Sequence, residues 1–167
     1  MAAGSDGEMV DLIDEHDRVV GVVTRAEMRA RRLLHRAVSI AVFSSDGRLL
    51  VHRRADTKDI WPSYWDIAAG GVVAAGESYD DAAGRELAEE LGVGDVPLHH
   101  LGGGRYTDDR VDEIAHCYRC TCDGPFEFAD GEVAEVRWVN RVELSRLMAT
   151  EPFTPDTAAL LLPLLTL

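Results

Sequence analysis

Basic residues are scarce in this 167-residue chain. Lys and Arg number 17 against 30 Asp and Glu, giving a formal net charge of -13 and a pI near 4.7. Proteins that hold nucleic acid or an anionic membrane face neutralise phosphates with basic surface, so neither partner is expected. Cysteine is sparse too: Cys117, Cys120 and Cys122 crowd together without a fourth. A zinc site or a redox pair lacks its usual partners, and buried, inert thiols are expected. On a strand, Cys120 and Cys122 share one face and Cys117 takes the other. A long apolar run is also missing. Leu160–Leu165, broken by Pro163, is far short of the ~20 residues that span a bilayer and reads as a C-terminal helix packed on the core. The opening residues MAAGSDGEMV have neither a basic start nor an apolar stretch, so no secretory signal is expected and the chain reads as cytoplasmic.

What is present suits one globular domain. With 46% hydrophobic residues, the chain can bury a core without disulfide or metal staples. It has no internal repeat and no low-complexity tract. Residues 1–8 are small and polar, a tail expected to be disordered. Val10–Ile13 and Val19–Val23 read as a hairpin with Asp17 in its turn. Thr24 then caps a helix running to Leu34, with Glu27 completing a capping box. Ala37–Phe43 and Leu49–His52 are strands joined through Asp46-Gly47. An aromatic loop with Trp61, Tyr64 and Trp65 leads to Gly70 and Gly71. Tyr79–Leu91 follows as a helix capped by Ser78 and stopped by Gly92. Strands at His99–Thr107, Ile114–Thr121 and Val133–Val139, with helices at Val142–Met148 and Asp156–Leu165, complete an α/β domain on a mixed sheet. Residues 9–34 thus form an N-terminal hairpin and helix ahead of a main domain at 35–167.

The carboxylates are concentrated in one stretch, Gly71 to Val93, reading GVVAAGESYDDAAGRELAEELGV. On a helix, Glu86, Glu89 and Glu90 fall within an arc of roughly 100°, where like charges at these spacings repel. A hard divalent cation turns that repulsion into binding, because Mg²⁺ takes carboxylate oxygens together with waters and substrate phosphates. Ala83, Gly84, Leu87 and Leu91 occupy the adjoining face, and the small Ala83 and Gly84 allow close approach to the sheet. Arg85 is spaced to pair with Asp81 or Glu89. Gly70, Gly71 and Gly76 give the preceding loop unusual backbone freedom, and one of its carbonyls can complete a metal shell. A solvated helix face also carries such carboxylates; the spacing decides between the two.

Gly71, Glu77, Arg85-Glu86-Leu87, Glu89-Glu90 and Gly92-Val93 stand at the fixed spacings of the Nudix box. Seven specified types at ~7% each give a chance match on the order of 10⁻⁸ per starting position. The chain therefore resembles the Nudix hydrolase family, and the order of strands and helices extends that resemblance over most of the domain. It implies an α/β/α sandwich with a mixed central sheet and a loop-helix-loop catalytic motif. It also implies cleavage of a nucleoside diphosphate derivative or related organic diphosphate by water attack at phosphorus, with Mg²⁺ or Mn²⁺. Under the resemblance Glu86 and Glu90 are the main metal ligands and Glu89 is a further ligand or the base. Gly71 belongs to the metal shell, Glu77 holds the loop or a water, and Arg85 orients a glutamate.

Outside the motif, Arg53, Arg54 and Lys58 are candidates for phosphate contact, or else form a solvated strand end. Leu34 to Trp65, LHRAVSIAVFSSDGRLLVHRRADTKDIWPSYW, is similar to isopentenyl-diphosphate isomerase, which shares the fold. The isomerases place a catalytic Cys and a metal-binding His where this chain has Gly70 and Val72, and their box is degraded. The resemblance thus implies a hydrolase on the isomerase-like branch, with isomerase as the alternative. His35 matches a metal histidine of the isomerases, although alone it reads as a hydrogen-bonded structural residue. Glu113, near the isomerases' later acidic site, joins Glu132 and Glu135 as a candidate extra catalytic acid. Trp61, Tyr64 and Trp65 either stack a base or belong to the core. A third reading is a module that binds a nucleotide without cleaving it, which is expected to lose box carboxylates; none is lost here. The expected partner is a small-molecule diphosphate, and the N-terminal hairpin either caps the sheet or contacts a second copy as a homodimer.

Overall fold

The computed structural model describes residues 6–167. Its elements, in chain order, are Met9–Ile13 (β1), Val19–Thr24 (β2), Arg25–Arg31 (α1), His35–Phe43 (β3), Leu49–Arg54 (β4), Trp65–Asp66 (β5) and Ala69–Val72 (β6). Then come Tyr79–Leu91 (α2), His99–Thr107 (β7), Asp112–Thr121 (β8), Val133–Val139 (β9), Arg141–Thr150 (α3) and Pro155–Leu160 (α4), with a 3₁₀ turn at Leu162–Leu164. β1 and β2 pair only with each other, while the other described strands form one mixed sheet.

The sheet is organised around β3, whose residues are nearly all buried because both of its faces are covered. It runs parallel to β8, from His35 opposite Glu113 to Phe43 opposite Thr121. Its other side is shared: Ala37–Ile40 pair with β6, and Phe43 pairs with Leu49 of β4. β4 in turn pairs with β5 and β9, and β7 with β8, all antiparallel.

Strand alternation sorts side chains between two cores. Val38, Ile40 and Val42 face Ala82, Ala83, Leu87 and Leu91 of α2, joined by Tyr118 and Cys120. Ala41 and Phe43 face the other way, against Leu49, Val51, Cys117, Leu144 of α3 and Leu161. The result is the expected α/β/α sandwich. Full burial of a leucine contributes about 1.5–3 kcal/mol relative to exposure, so Leu87 and Leu91 anchor α2. Cys117 and Cys120 are buried on opposite faces, and Trp61 and Trp65 are core residues.

Some boundaries move. Residues 1–5 of the expected tail lie outside the described residues, but the rest of it is held. The Arg25 and Ala26 amides donate to the Glu8 and Asp6 carbonyls at 2.7 and 3.1 Å. α1 stops at Arg31 rather than Leu34. Arg32 takes left-handed backbone (φ 51) and the Leu33 amide returns to the Met28 carbonyl at 3.0 Å, which turns the chain straight into β3. Thr24 does accept from the Glu27 amide at 3.2 Å, but the Glu27 carboxylate pairs with Arg31 instead of closing the capping box. β5 and β6 carry almost no strand signal, being short and, in β6, glycine-rich. The last helix ends at Leu160 and gives way to a 3₁₀ turn containing Pro163, which has no amide hydrogen to continue it. Among the described residues no helix is long and apolar enough to cross a membrane.

Candidate active site

α2 starts at Tyr79 because the Ser78 side chain accepts from the Asp81 amide at 3.1 Å, and it stops at Gly92, whose φ of 69 other residues resist. The packing of Ala82, Ala83 and Leu87 against β3 then fixes which carboxylates point inward. Glu86 and Glu90, one turn apart, are 4% and 5% exposed, while Glu89 faces solvent. The expected glutamate face is therefore a buried pair with one carboxylate at the rim. Gly84 does not make the close approach expected of it. It is exposed, a Cβ there would meet nothing within 4 Å, and Ala82 packs beside Ala83 instead.

Gly70 and Gly71 lie in β6 rather than in the loop. A Cβ on Gly70 would stand 2.1 Å from the Val38 carbonyl oxygen, so that glycine lets two strands meet. A Cβ on Gly71 would stand 2.5–2.7 Å from the Glu86 carboxylate. The missing side chain of Gly71 is the space that Glu86 occupies. The loop after β6 is braced by the N-terminal hairpin. The Ala75 amide donates to the Met9 carbonyl at 2.9 Å, the Gly76 amide to Asp11 at 3.0 Å, and the Tyr79 hydroxyl to Asp17 at 3.1 Å.

Arg85 joins the loop to the helix. Its Nε and Nη2 donate to the two oxygens of Glu77 at 2.7 and 2.9 Å, and Nη1 donates to Glu86 at 2.8 Å and Glu89 at 3.3 Å. Glu77 takes the place expected of Asp81, because a loop residue can fold back over a distance that helical spacing does not predict. Burial opposes the Glu77 charge, but Arg85 and the Ala74 amide outweigh it and hold the carboxyl below its usual range. The buried pair is electrostatically unequal. Burial, aided by Glu90 and Glu89, pushes Glu86 up to about 7 against the pull of Arg85. Burial acts on Glu90 as well, yet His52 Nε2 at 3.1 Å and the Gly70 amide at 3.3 Å keep it below its ordinary value.

His52 belongs to this site, and the sequence reading missed it. The available signal was its phase on β4: Leu50, two residues earlier, faces the α2 core, so His52 must as well.

A cleft of about 580 Å³, including its solvent mouth, opens beside the buried glutamates. Gly70, Gly71, Glu90, Arg54, Lys58 and Glu113 are among its lining residues. Arg54 donates to the Ile60 and Trp61 carbonyls at 3.0 and 3.3 Å, and Lys58 lies 2.7 Å from Glu132. Arg53 is not among the residues lining the cleft; it lies 3.5 Å from Glu135, on a half-exposed pair. Glu113 is buried, and burial together with Asp156 raises its carboxyl well above the usual range. Its neighbour His35, with Nε2 at 3.9 Å, has Nδ1 at 2.8 Å from the Leu33 carbonyl, which makes Nδ1 the protonated nitrogen. Burial and Arg29 bring His35 down to about 4.

Among the described residues no three His, Cys, Asp or Glu side chains converge as a ready-made metal cage. The donors at hand are hard oxygens: two buried carboxylates, with a third at the rim. They suit a cation that completes its shell from water and substrate, as Mg²⁺ and Mn²⁺ do. The cradle at Gly71, which a Cβ would fill, keeps room for the Glu86 carboxylate.

The NUDIX domain model matches residues 33–161. The chain is 50% identical over 163 residues to the uncharacterized Nudix hydrolase SCO1686 of Streptomyces coelicolor, spanning 91% of this chain and 85% of that one. It is 41% identical over 158 residues to the uncharacterized Nudix hydrolase PA4841 of Pseudomonas aeruginosa, spanning 93% and 92%. The crystal structure of DR0079 from Deinococcus radiodurans is similar with a TM-score of 0.77 and 28% identity, covering 91% of this chain and 96% of that one. The chain belongs to the Nudix hydrolase family.

Proposed function

We propose that the protein is a metal-dependent hydrolase of a nucleoside diphosphate derivative or a related organic diphosphate, acting on a small molecule in the cytoplasm. The observation that carries this reading is the buried Glu86–Glu90 pair on one turn of α2, beside a cleft that also presents Arg54 and Lys58. Glu86 and Glu90, with Glu89 and the Gly71 carbonyl, would hold Mg²⁺ or Mn²⁺. When bound, the ion neutralises the diphosphate and lowers the pKa of a water. The chain's own groups do the positioning. Arg85 orients Glu86 and ties it to Glu77, while His52 and the Gly70 amide orient Glu90. Glu89, at the rim, would serve either as that further ligand or as the base that takes a proton from the attacking water. Arg54 and Lys58, although held by the Ile60 and Trp61 carbonyls and by Glu132, add positive charge to the cleft that favours a phosphate there. A chain of charge -13 otherwise repels an anionic substrate, so the cation also serves capture.

A screen of nucleotide sugars, dinucleoside polyphosphates, NADH, CDP-alcohols and damaged nucleoside triphosphates, with and without Mg²⁺ or Mn²⁺, tests the proposal. Product is expected only with metal, and Glu86→Gln and Glu90→Gln each abolish it almost completely. Wild-type turnover in both variants would sink the assignment. Isomerase chemistry is disfavoured by the same geometry, since the position of its cysteine is held by Gly70, where even a Cβ meets the Val38 backbone.

A further inference from the structure

Part of the cleft is lined by residues that precede the matched domain. Arg25 and Arg29 stand one turn apart on the same face of α1, and both line the cleft that holds Gly71 and Glu90. Their side chains are 13% and 18% exposed. Both guanidiniums lean on a single carboxylate oxygen, Asp59 Oδ2, at 3.1 Å from Arg29 Nε and 3.7 Å from Arg25 Nη2. The other carboxylate near Arg25, Glu8, is 3.9 Å away. Arg29 Nη1 is buried and has no hydrogen-bond partner.

A buried guanidinium nitrogen left without an acceptor is costly, and structures seldom keep one that nothing fills. The other cations of the cleft are engaged: Lys58 by Glu132, and Arg54 by the Ile60 and Trp61 carbonyls. Glu113 attracts Arg29 only through space, and burial and Asp156 drive its carboxyl towards the neutral form, which weakens that attraction. Two full positive charges therefore share Asp59 next to a cleft, with Glu8 only at 3.9 Å from Arg25. Burial and the adjacent Arg25 also lower the Arg29 pKa, the response of a cation short of negative partners.

We propose that Arg25 and Arg29 form an anion subsite that takes a second phosphate of the substrate, separate from the one presented to Glu86 and Glu90. The preferred substrates are then organic diphosphates that carry a further phosphate beyond the scissile linkage. The substrate class rests on the hydrolase reading above, but the subsite itself needs neither metal nor turnover.

The probe is inorganic phosphate, titrated into the full chain in EDTA and followed by calorimetry. The wild type is expected to bind it, and Arg29→Gln to bind about tenfold more weakly, the loss of one charge-assisted contact. Asp59→Asn is expected to bind severalfold more tightly, because it removes the competing carboxylate. If Arg29→Gln does not fold, Arg25→Gln and Asp59→Asn give the same reading. No phosphate binding by the wild type overturns the proposal, and so does unchanged affinity in the arginine variants. Weaker binding in Asp59→Asn also overturns it, since the trio would then only secure α1. Phosphate binding without cleavage of any diphosphate would defeat the hydrolase reading and keep the subsite; metal-dependent cleavage without phosphate binding would do the reverse.

Discussion

Replacing Gly71 with alanine should separate activity from stability. Ordinary van der Waals contact begins near 3.4 Å, and the new Cβ would lie 2.5 Å from Glu86 Oε1. The oxygen must therefore retreat by about 0.9 Å. It is the far end of a flexible side chain, held by Arg85 but not by backbone, so the adjustment is a torsional one costing about 0.5–1.5 kcal/mol. For a chain of this size that is a fall in melting temperature of about 1–6 °C. Catalysis is far less forgiving, because a misplacement of about 1 Å at a reacting centre lowers the rate by about 100-fold. Gly70→Ala is the control from the same strand. There the obstacle is the Val38 backbone oxygen at 2.1 Å, so β3 and β6 must part and the fold itself fails. Metal-dependent turnover of the best substrate from the screen, alongside thermal melts, reads both outcomes. A folded Gly71→Ala protein with wild-type turnover would refute the placement of Glu86 at the reaction centre. A Gly71→Ala protein as unstable as Gly70→Ala would show that the contact is structural.

Two further predictions concern ionisation. The buried His35 ring stays neutral in the folded protein down to about pH 4, but protonates near 6.5 once the chain unfolds. Its contribution is complete above pH 6.5 and is lost as pH falls from there through 4. The total is about 3 kcal/mol, and His35→Gln should flatten that part of the curve in denaturant titrations at pH 7 and 4.5; an unchanged slope would contradict it. Burial pushes the Cys117 thiol up to about 12 and Cys120 to about 11, whereas Cys122 is only half-buried. A thiol reagent at pH 8 should thus modify Cys122 alone in the native protein and all three in denaturant. Rapid native labelling of Cys117 or Cys120 would count against the packing of β8.

Local signals were the legible ones. α2 begins and ends where Ser78 and Gly92 place it, and the positions of Glu77, Arg85, Glu86 and Glu90 follow from the motif's spacing. The helical arc alone could not say which glutamates are buried. That depends on how α2 is rotated against the sheet, and the rotation is set by Ala82, Ala83 and Leu87 against β3. Arg25 and Arg29 reach the cleft only through tertiary packing, so nothing in their own neighbourhoods marked them, whereas the contact of His52 with Glu90 was signalled only by its phase on β4. Gly70 and Gly71 read as loop glycines for the same reason. A glycine needed for close approach is indistinguishable in sequence from one needed for a turn.

The brace between the N-terminal hairpin and the loop after β6 has a consequence for motion. The amides of Ala75 and Gly76 are held by Met9 and Asp11, and Tyr79 is held by Asp17 at the hairpin's tip. The loop that carries Glu77 therefore cannot swing away while β1 stays docked. Its opening is coupled to release of a hairpin more than sixty residues earlier, and the two behave as one cooperative unit. Stiffness at the loop that carries Glu77 is thus set from outside the motif, through the Asp11 and Asp17 carboxylates of a segment that is no part of it.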